Sequence, residues 1–158
     1  MITNKQVIEA QTLWGQGVVQ IGSLKDNRTE CKLYTTTFLK KLYAFKEGIV
    51  LFKPTKCEIE QFRVTEEQAL SYFIAGDDRT CHEDKGFAIM PWTKVRFENS
   101  NLILEDSRAI AMGNYFFTDL SGNEAKVEYT FGYKLVNGEL KIDVHHSSFP
   151  YKIIDLDV

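Results

Sequence analysis

Residues 127–148, VEYTFGYKLVNGELKIDVHHSS, decide the fold of this chain. Apolar side chains occupy every second position on both sides of Asn137-Gly138: Val127, Tyr129, Phe131 and Tyr133 before it, and Leu140, Ile142 and Val144 after it. A period of two is typical of a β-strand with one buried face. Asn-Gly favours the type I′ turn of a two-residue hairpin. The segment therefore predicts two long antiparallel strands.

Further strands and then helices are predicted upstream of this hairpin. Strand patterns occupy 93–98, 102–104 and 109–118, and the turn-forming run Asn99-Ser100-Asn101 separates the first two. Earlier in the chain the apolar period becomes helical. One helix face carries Val7, Ala10, Trp14, Val18 and Ile21, and a second carries Tyr34, Phe38, Leu42 and Phe45. A third helix begins after Thr65, which forms a capping box with Gln68, and runs to about Ala75.

Helices that precede the strands, instead of alternating with them, indicate an α+β fold. We expect three N-terminal helices packed on a strongly curved antiparallel sheet, which together form a cone with an internal cavity. A single domain over residues 1–158 accounts for the whole chain. We also expect a homodimer built on the sheet face, because one chain of this length can hardly bury Tyr129, Phe131 and Tyr133 as well as an opposite apolar face.

Composition excludes several classes of partner. The chain has 19 Lys+Arg against 22 Asp+Glu, a net charge of −3, and its basic residues are scattered, so we expect no nucleic-acid partner. No apolar stretch approaches the ~20 residues that span a bilayer, so we expect no membrane association. The three cysteines are widely spaced, which predicts free thiols. We expect a cytoplasmic location for the chain as given, or a plastid or exported one if a targeting segment was removed.

The histidines offer no obvious metal site. His145 and His146 are adjacent in a strand, so their side chains point to opposite faces. His82 lies in a polar loop. A zinc site of three histidines is therefore unfavourable, and we expect neither a metal nor another cofactor.

The run His145-His146-Ser147-Ser148 is a polar cluster at the end of an apolar strand. It fits a strand end that emerges into solvent, but Phe149, Pro150 and Tyr151 follow at once, and polar residues flanked by apolar ones are typical of a pocket lining. Simple alternation puts His146 and Ser148 on the face of Leu140, Ile142 and Val144, and puts His145 and Ser147 on the other face. Either pair could line the pocket.

Four segments of the chain resemble the iota-class carbonic anhydrases: 52–55 (FKPT), 113–117 (GNYFF), 127–133 (VEYTFGY) and 145–150 (HHSSFP). That family is related to the association domain of calcium/calmodulin-dependent protein kinase II, within the nuclear transport factor 2-like, or SnoaL-like, superfamily. The resemblance runs from about Ala10 to Pro150. The last segment is the most specific, although it has Phe149 where the family pattern has Leu.

The resemblance implies a cone-shaped α+β dimer that converts CO2 and bicarbonate into each other without a metal. It also implies a pocket formed by Thr55, Tyr72, His145 and Ser147, all four with catalytic roles. Neutral His145 is then the natural general base, and Tyr72 could serve only if neighbouring groups depress its pKa. The hydroxyls of Thr55 and Ser147 would hold the water and donate to the oxygen that becomes negative.

Two other functions remain open on the residues alone. The chain could be a non-catalytic oligomerisation or small-ligand-binding module of the same fold. It could also be an isomerase or dehydratase, which would need a carboxylate in the cavity. The candidates within strands are Glu98, Asp119, Glu128 and Asp143.

Overall fold

Three helices precede the long antiparallel strands, as predicted, and one short strand lies between the second and third helices. The computed structural model describes residues 1–152, so residues 153–158 of the predicted domain lie outside the described residues. The helices are α1 (Asn4–Ser23), α2 (Arg28–Leu42) and α3 (Glu66–Ile74), with a 3₁₀ turn at Phe87–Ile89. The strands are β1 (Leu51–Lys53), β2 (Lys94–Leu104), β3 (Arg108–Thr118), β4 (Glu124–Val136) and β5 (Glu139–Ser148). None of these described helices combines the length and apolar character that a membrane crossing requires.

Local sequence signals account for most of the element ends. The capping box of Thr65 and Gln68 starts α3 as predicted. Asn137 and Gly138 have φ angles of 49° and 83°, which confirms the type I′ turn between β4 and β5. The second helix ends at Leu42, so the expectation that Phe45 continues its apolar face is wrong. The predicted break at Asn99-Ser100-Asn101 is also wrong, because β2 runs through it with a β-bulge.

The strands form one open sheet in the order β1-β5-β4-β3-β2. All neighbouring pairs are antiparallel except β1, which lies parallel to β5 at one edge. This parallel edge places Phe52 beside His145 and Lys53 beside His146. The short strand therefore brings the segment that follows it, Pro54-Thr55, to the end of β5.

Helix α1 lies against the inner face of the sheet and packs through Trp14. The indole is 1% exposed, and its ring centroid lies 5.5 Å from that of Tyr115 and 5.6 Å from that of Phe131. Gly17 permits the approach of α2, since a Cβ there would lie 2.3 Å from the Phe38 ring. The inner face also buries Tyr129, Phe131 and Tyr133 within the single chain. The reasoning that these aromatics require a partner is therefore wrong.

A β-bulge in β5 settles which side chains face inward. Tyr133 pairs with Ile142 and Gly132 pairs with Val144, so Asp143 is the extra residue. Beyond the bulge the alternation is inverted. His145 and Ser147 join Ile142 on the buried inner face, whereas His146 and Ser148 lie with Val144 on the outer face. The strict alternation assumed from the sequence fails at this one residue.

The bulge in β5 is contacted from β4, its neighbour in the sheet, and from β3, one strand further away. The Asp143 carboxylate accepts two hydrogen bonds from the Arg108 guanidinium, of 3.0 and 2.5 Å. Gly132 faces the bulge from β4, and a Cβ there would lie 2.8 Å from the Cβ of Val144. A larger residue at position 132 would therefore require the strand to shift.

A buried ion pair braces the segments around α3. The Arg63 guanidinium donates to both carboxylate oxygens of Asp84, at 2.7 and 2.6 Å, and both side chains are fully buried. Ser71 on α3 also donates to Asp84, at 2.6 Å. The pair thus joins the segment before α3, the helix itself and the segment after it.

We predict that Asp84→Ala lowers the free energy of unfolding by about 3–5 kcal/mol, because it leaves the Arg63 charge buried without a partner. Urea unfolding followed by circular dichroism measures the change. The matched control is Glu9→Ala, which removes an exposed ion pair with Lys5 on α1 and should change stability much less. Equal losses in the two variants would show that the buried pair does not stabilise the fold.

Candidate functional site

The four residues that the sequence singled out lie around one small internal cavity. Its volume is about 10 Å³, close to the space that one water molecule needs. Thr55, Tyr72, His145 and Ser147 all line it. The rest of the lining is Trp14, Phe52, Pro54, Phe73, Phe87 and Tyr115. The cavity is therefore aromatic, with its polar groups gathered on one side.

Three distant parts of the chain deliver these side chains. Thr55 follows Pro54, where the missing N–H ends β1. Tyr72 projects from α3, and the inverted alternation of β5 turns His145 and Ser147 inward. A larger open groove of about 590 Å³ runs between α1 and β2, but it shares no lining residue with this cavity.

Ser147 lies at the centre of a hydroxyl cluster. Its Oγ is 2.5 Å from Thr55 Oγ1 and 2.5 Å from the Tyr115 hydroxyl, and it lies 3.3 Å from the backbone carbonyl of Glu128. The Tyr72 hydroxyl accepts a hydrogen bond of 3.2 Å from the backbone N–H of Lys56. Tyr72 can therefore direct its own proton elsewhere, and the cavity lies beside it.

Both ring nitrogens of His145 are hydrogen-bonded. Nδ1 lies 2.8 Å from the Tyr43 hydroxyl, and Nε2 lies 3.2 Å from the Tyr115 hydroxyl. The ring stacks on Phe52 at 4.7 Å and contacts Phe131 at 4.3 Å between centroids. Burial lowers the pKa of His145 well below its ordinary value, and the neighbouring His146 lowers it further. The imidazole is neutral at physiological pH.

Burial has the opposite effect on the tyrosines. It raises the pKa of Tyr72 and of Tyr115 well above the ordinary value for a phenol. The condition under which Tyr72 was expected to act as a base, a depressed pKa, is therefore not met. Both hydroxyls keep their protons and are available as hydrogen-bond donors.

Three residues of the hydrogen-bonded network around His145 were not singled out from the sequence. Tyr115 lies in the segment 113–117, where alternation places it on the same face as Phe117, but nothing local indicates that its hydroxyl meets Ser147. Trp14 was assigned only to a helix face. Tyr43 gave no signal, because it stood inside the helix predicted to run through Phe45 and was not one of the residues of its apolar face, whereas α2 ends at Leu42.

The histidines do not converge on a common point. His145 is buried, His146 is exposed on the opposite face of the sheet, and His82 is exposed in the loop after α3. In the described range 1–152, the His, Cys, Asp and Glu side chains form no group of three or more suited to a metal ion. The three cysteines are free thiols. The chemistry available in the cavity is therefore that of hydroxyls and one neutral imidazole.

Comparison with solved structures agrees on the fold. The chain is similar to a putative calcium/calmodulin-dependent protein kinase II association domain from Xanthomonas campestris, with a TM-score of 0.63 and 22% identity over 97% of this chain and 91% of that one. At that identity the likeness concerns the fold alone.

Other comparisons are more specific. The crystal structure of an iota-carbonic anhydrase from a cyanobacterium, complexed with bicarbonate, matches with a TM-score of 0.91 and 36% identity over 96% of this chain and 94% of that one. A metal-independent carbonic anhydrase of Nostoc sp. (strain PCC 7120 / SAG 25.82 / UTEX 2576) is 37% identical over 155 residues, which is 96% of this chain and 75% of the relative. The family model for metal-independent carbonic anhydrases matches residues 5–149. The chain belongs to the metal-independent carbonic anhydrase family.

Proposed function

We propose that this protein catalyses the reversible hydration of CO2 to bicarbonate without a metal, as an iota-class carbonic anhydrase (carbonate dehydratase). The observation that carries the proposal is the cluster of Thr55, Tyr72 and Ser147 hydroxyls beside neutral His145 in one aromatic cavity. Family membership and the similar cyanobacterial structure with bicarbonate support it.

The lining suits both sides of this reaction. CO2 is small and apolar, so the aromatic walls formed by Phe52, Phe73 and Phe87 can accommodate it. Bicarbonate is an anion whose oxygens accept hydrogen bonds, and the hydroxyls of Thr55, Tyr72 and Ser147 are donors placed together on one side. Because the cavity has room for about one water molecule, we expect side chains at its rim to move when the substrate enters.

Hydration needs stabilisation of the oxygen that becomes negative as water attacks the carbon. Hydroxyl donors fixed in a site that excludes water supply this without reorganisation. We propose that Ser147 and Thr55 hold the attacking water and the developing anion, and that Tyr72 donates to another oxygen. His145 has two candidate roles, a general base or a hydrogen-bond donor, which differ in the ring nitrogen that carries the proton.

The competing functions receive less support. An isomerase or dehydratase needs a carboxylate in the cavity, but Asp143 is bound to Arg108 and Glu128 lies exposed on the outer face. Neither lines the cavity. A non-catalytic binding module would share the cavity, so a CO2 hydration assay is the measurement that distinguishes it from an enzyme.

We predict that the protein, after exhaustive chelation, accelerates CO2 hydration in a stopped-flow pH-indicator assay. Ser147→Ala and Tyr72→Phe each remove one hydroxyl and little volume, so both should fold and should lower kcat by about tenfold or more. The matched control is Ser148→Ala on the outer face, which should keep the parent rate. Parent-like rates in both cavity variants would refute the assignment of the site, and an inactive chelated parent would refute the proposed function.

The pH dependence of stability should report the buried imidazole. The pKa of His145 is lowered in the folded state, so below about pH 6.5 the unfolded chain binds a proton that the folded chain does not. The contribution of this group is complete above that pH and is lost as pH falls toward the folded pKa, by at most about 1.4 kcal/mol per pH unit.

We therefore predict that the free energy of unfolding of His145→Asn depends less on pH between 5 and 7 than that of the parent. Urea unfolding at several pH values measures both slopes, and the carboxylates common to the two proteins cancel in the comparison. His82→Asn, at the exposed histidine of the loop after α3, is the control and should keep the parent slope. Identical slopes in parent and His145→Asn would contradict a neutral buried imidazole.

We also propose a homodimer formed by the outer face of the sheet. The exposed apolar side chains of the sheet lie on this outer face, whereas the aromatic side chains of the inner face are buried. Met112 is 57% exposed, and Ile110 and Val144 are partly exposed on either side of Gly132. The likeness to a kinase association domain supports the fold of the single chain, and the proposal of a dimer rests on the exposed apolar residues.

Multi-angle light scattering should find twice the chain mass of 18.2 kDa. We predict that Met112→Glu yields the monomer, because it places a charge in the centre of the apolar part of this face. Leu33→Glu, at a residue 69% exposed on α2, is the matched control and should stay dimeric. A parent that is monomeric at all concentrations would overturn the proposal.

A further inference from the structure

A continuous line of buried hydrogen bonds runs from α1 to the cavity. Trp14 Nε1 lies 3.0 Å from the Tyr43 hydroxyl, which lies 2.8 Å from His145 Nδ1. On the other side of the ring, Nε2 lies 3.2 Å from the Tyr115 hydroxyl, which lies 2.5 Å from Ser147 Oγ. All five side chains are at most 3% exposed, so water does not compete for these groups.

The direction of the line follows from its first member. The indole N–H can only donate, so the Tyr43 oxygen accepts from Trp14. Within residues 1–152, the one acceptor that the Tyr43 proton then meets is Nδ1 of His145. Nδ1 must therefore be the unprotonated nitrogen. A neutral imidazole carries one proton, which leaves it on Nε2.

The opposite tautomer is unfavourable in this setting. With a proton on Nδ1, the Tyr43 oxygen would receive hydrogen bonds from both Trp14 and His145. Its own proton would then be buried without an acceptor, which is a costly arrangement. Trp14 thus acts on His145 through Tyr43, although the indole and the imidazole nitrogens share no hydrogen bond.

We propose that Trp14 and Tyr43 are positioning residues that hold His145 in its Nε2–H tautomer and so make it a hydrogen-bond donor to Tyr115 and, through Tyr115, to Ser147. The assignment of the tautomer does not depend on the proposed function, whereas the role of this tautomer in catalysis rests on it. Nε2–H donates to the Tyr115 oxygen, and the Tyr115 proton is directed at Ser147 Oγ. Every donor in the line then points toward the cavity.

This direction assigns His145 a role other than general base. In this tautomer the nitrogen lone pair that can accept a proton is on Nδ1. It already accepts a hydrogen bond from the Tyr43 hydroxyl, on the side of the ring away from Ser147. The imidazole therefore does not take a proton from water in the cavity. Hydrogen bonds aligned in one direction polarise one another, so Ser147 becomes a stronger donor to a developing anion. The proton that is released when CO2 and water form bicarbonate then passes to a second water molecule, on the side of the cavity where half-buried Thr55 lies nearest solvent.

The tautomer is measured directly by long-range ¹H–¹⁵N correlation spectroscopy on the ¹⁵N-labelled full chain. The variants His82→Gln and His146→Gln identify the signals of the other two histidines. The parent should show His145 as a single Nε2–H species. Tyr43→Phe removes the donor to Nδ1 with little change in volume, so an Nδ1–H population should appear and kcat should fall about tenfold, with KM changed less.

Tyr133→Phe is the matched control. Tyr133 is a buried tyrosine on the same inner face whose hydroxyl has no hydrogen-bond partner within residues 1–152, so its loss should alter neither the tautomer nor kcat. If Tyr43→Phe fails to fold, the parent spectrum alone decides. An Nδ1–H parent, or a Tyr43→Phe variant with parent tautomer and kcat, overturns the proposal. An Nε2–H parent that does not hydrate CO2 refutes the proposed function and supports the tautomer assignment.

Discussion

The ion pair between Arg108 on β3 and Asp143 on β5 is the contact on which the site depends. It stabilises the one extra residue of β5, and that residue inverts the alternation of everything after it. Without the bulge, His146 and Ser148 would face the cone, while His145 and Ser147 would face outward. β-Bulges often lie next to functional sites, where they redirect a side chain. The bulge at Asp143 redirects two side chains, those of His145 and Ser147.

Burial then determines what the redirected residues can do. The rings of Phe52 and Phe131 enclose His145 and keep it neutral, and the same exclusion of water keeps Tyr72 and Tyr115 protonated. The cavity therefore has no charged side chain in its lining. It can stabilise negative charge only through oriented hydroxyls, and such dipoles act most strongly where water is excluded. The packing of α1 on the sheet thus determines the electrostatics of the site, because it excludes water from the cavity.

The features that could be predicted from the sequence are those that depend on short-range patterns of residues. The Asn137-Gly138 turn, the capping box at Thr65 and the inward aromatics of β4 depend on neighbours a few residues away. The choice of face at His145 could not be predicted, because the bulge depends on Arg108, 35 positions earlier. The partners of His145 were missed for the same reason, since Tyr43 lies 102 positions away. The four cavity residues were named through resemblance to a family, whereas alternation alone left open whether His145 and Ser147 or His146 and Ser148 face inward.

The remaining wall of the cavity is formed by the loop between β1 and α3. The contacts that hold this loop indicate which side of the cavity lies nearest solvent. Glu83 accepts hydrogen bonds from the backbone N–H groups of Glu58, Ile59 and Glu60, and Arg63 lies over the Tyr72 ring at 5.7 Å. These contacts fix α3 and the far end of the loop after β1. Thr55, at the near end, is the half-buried member of the four, whereas the other three are at most 6% exposed. Among the four, Thr55 therefore lies nearest solvent, and the hydroxyl of Ser147 lies 2.5 Å behind it.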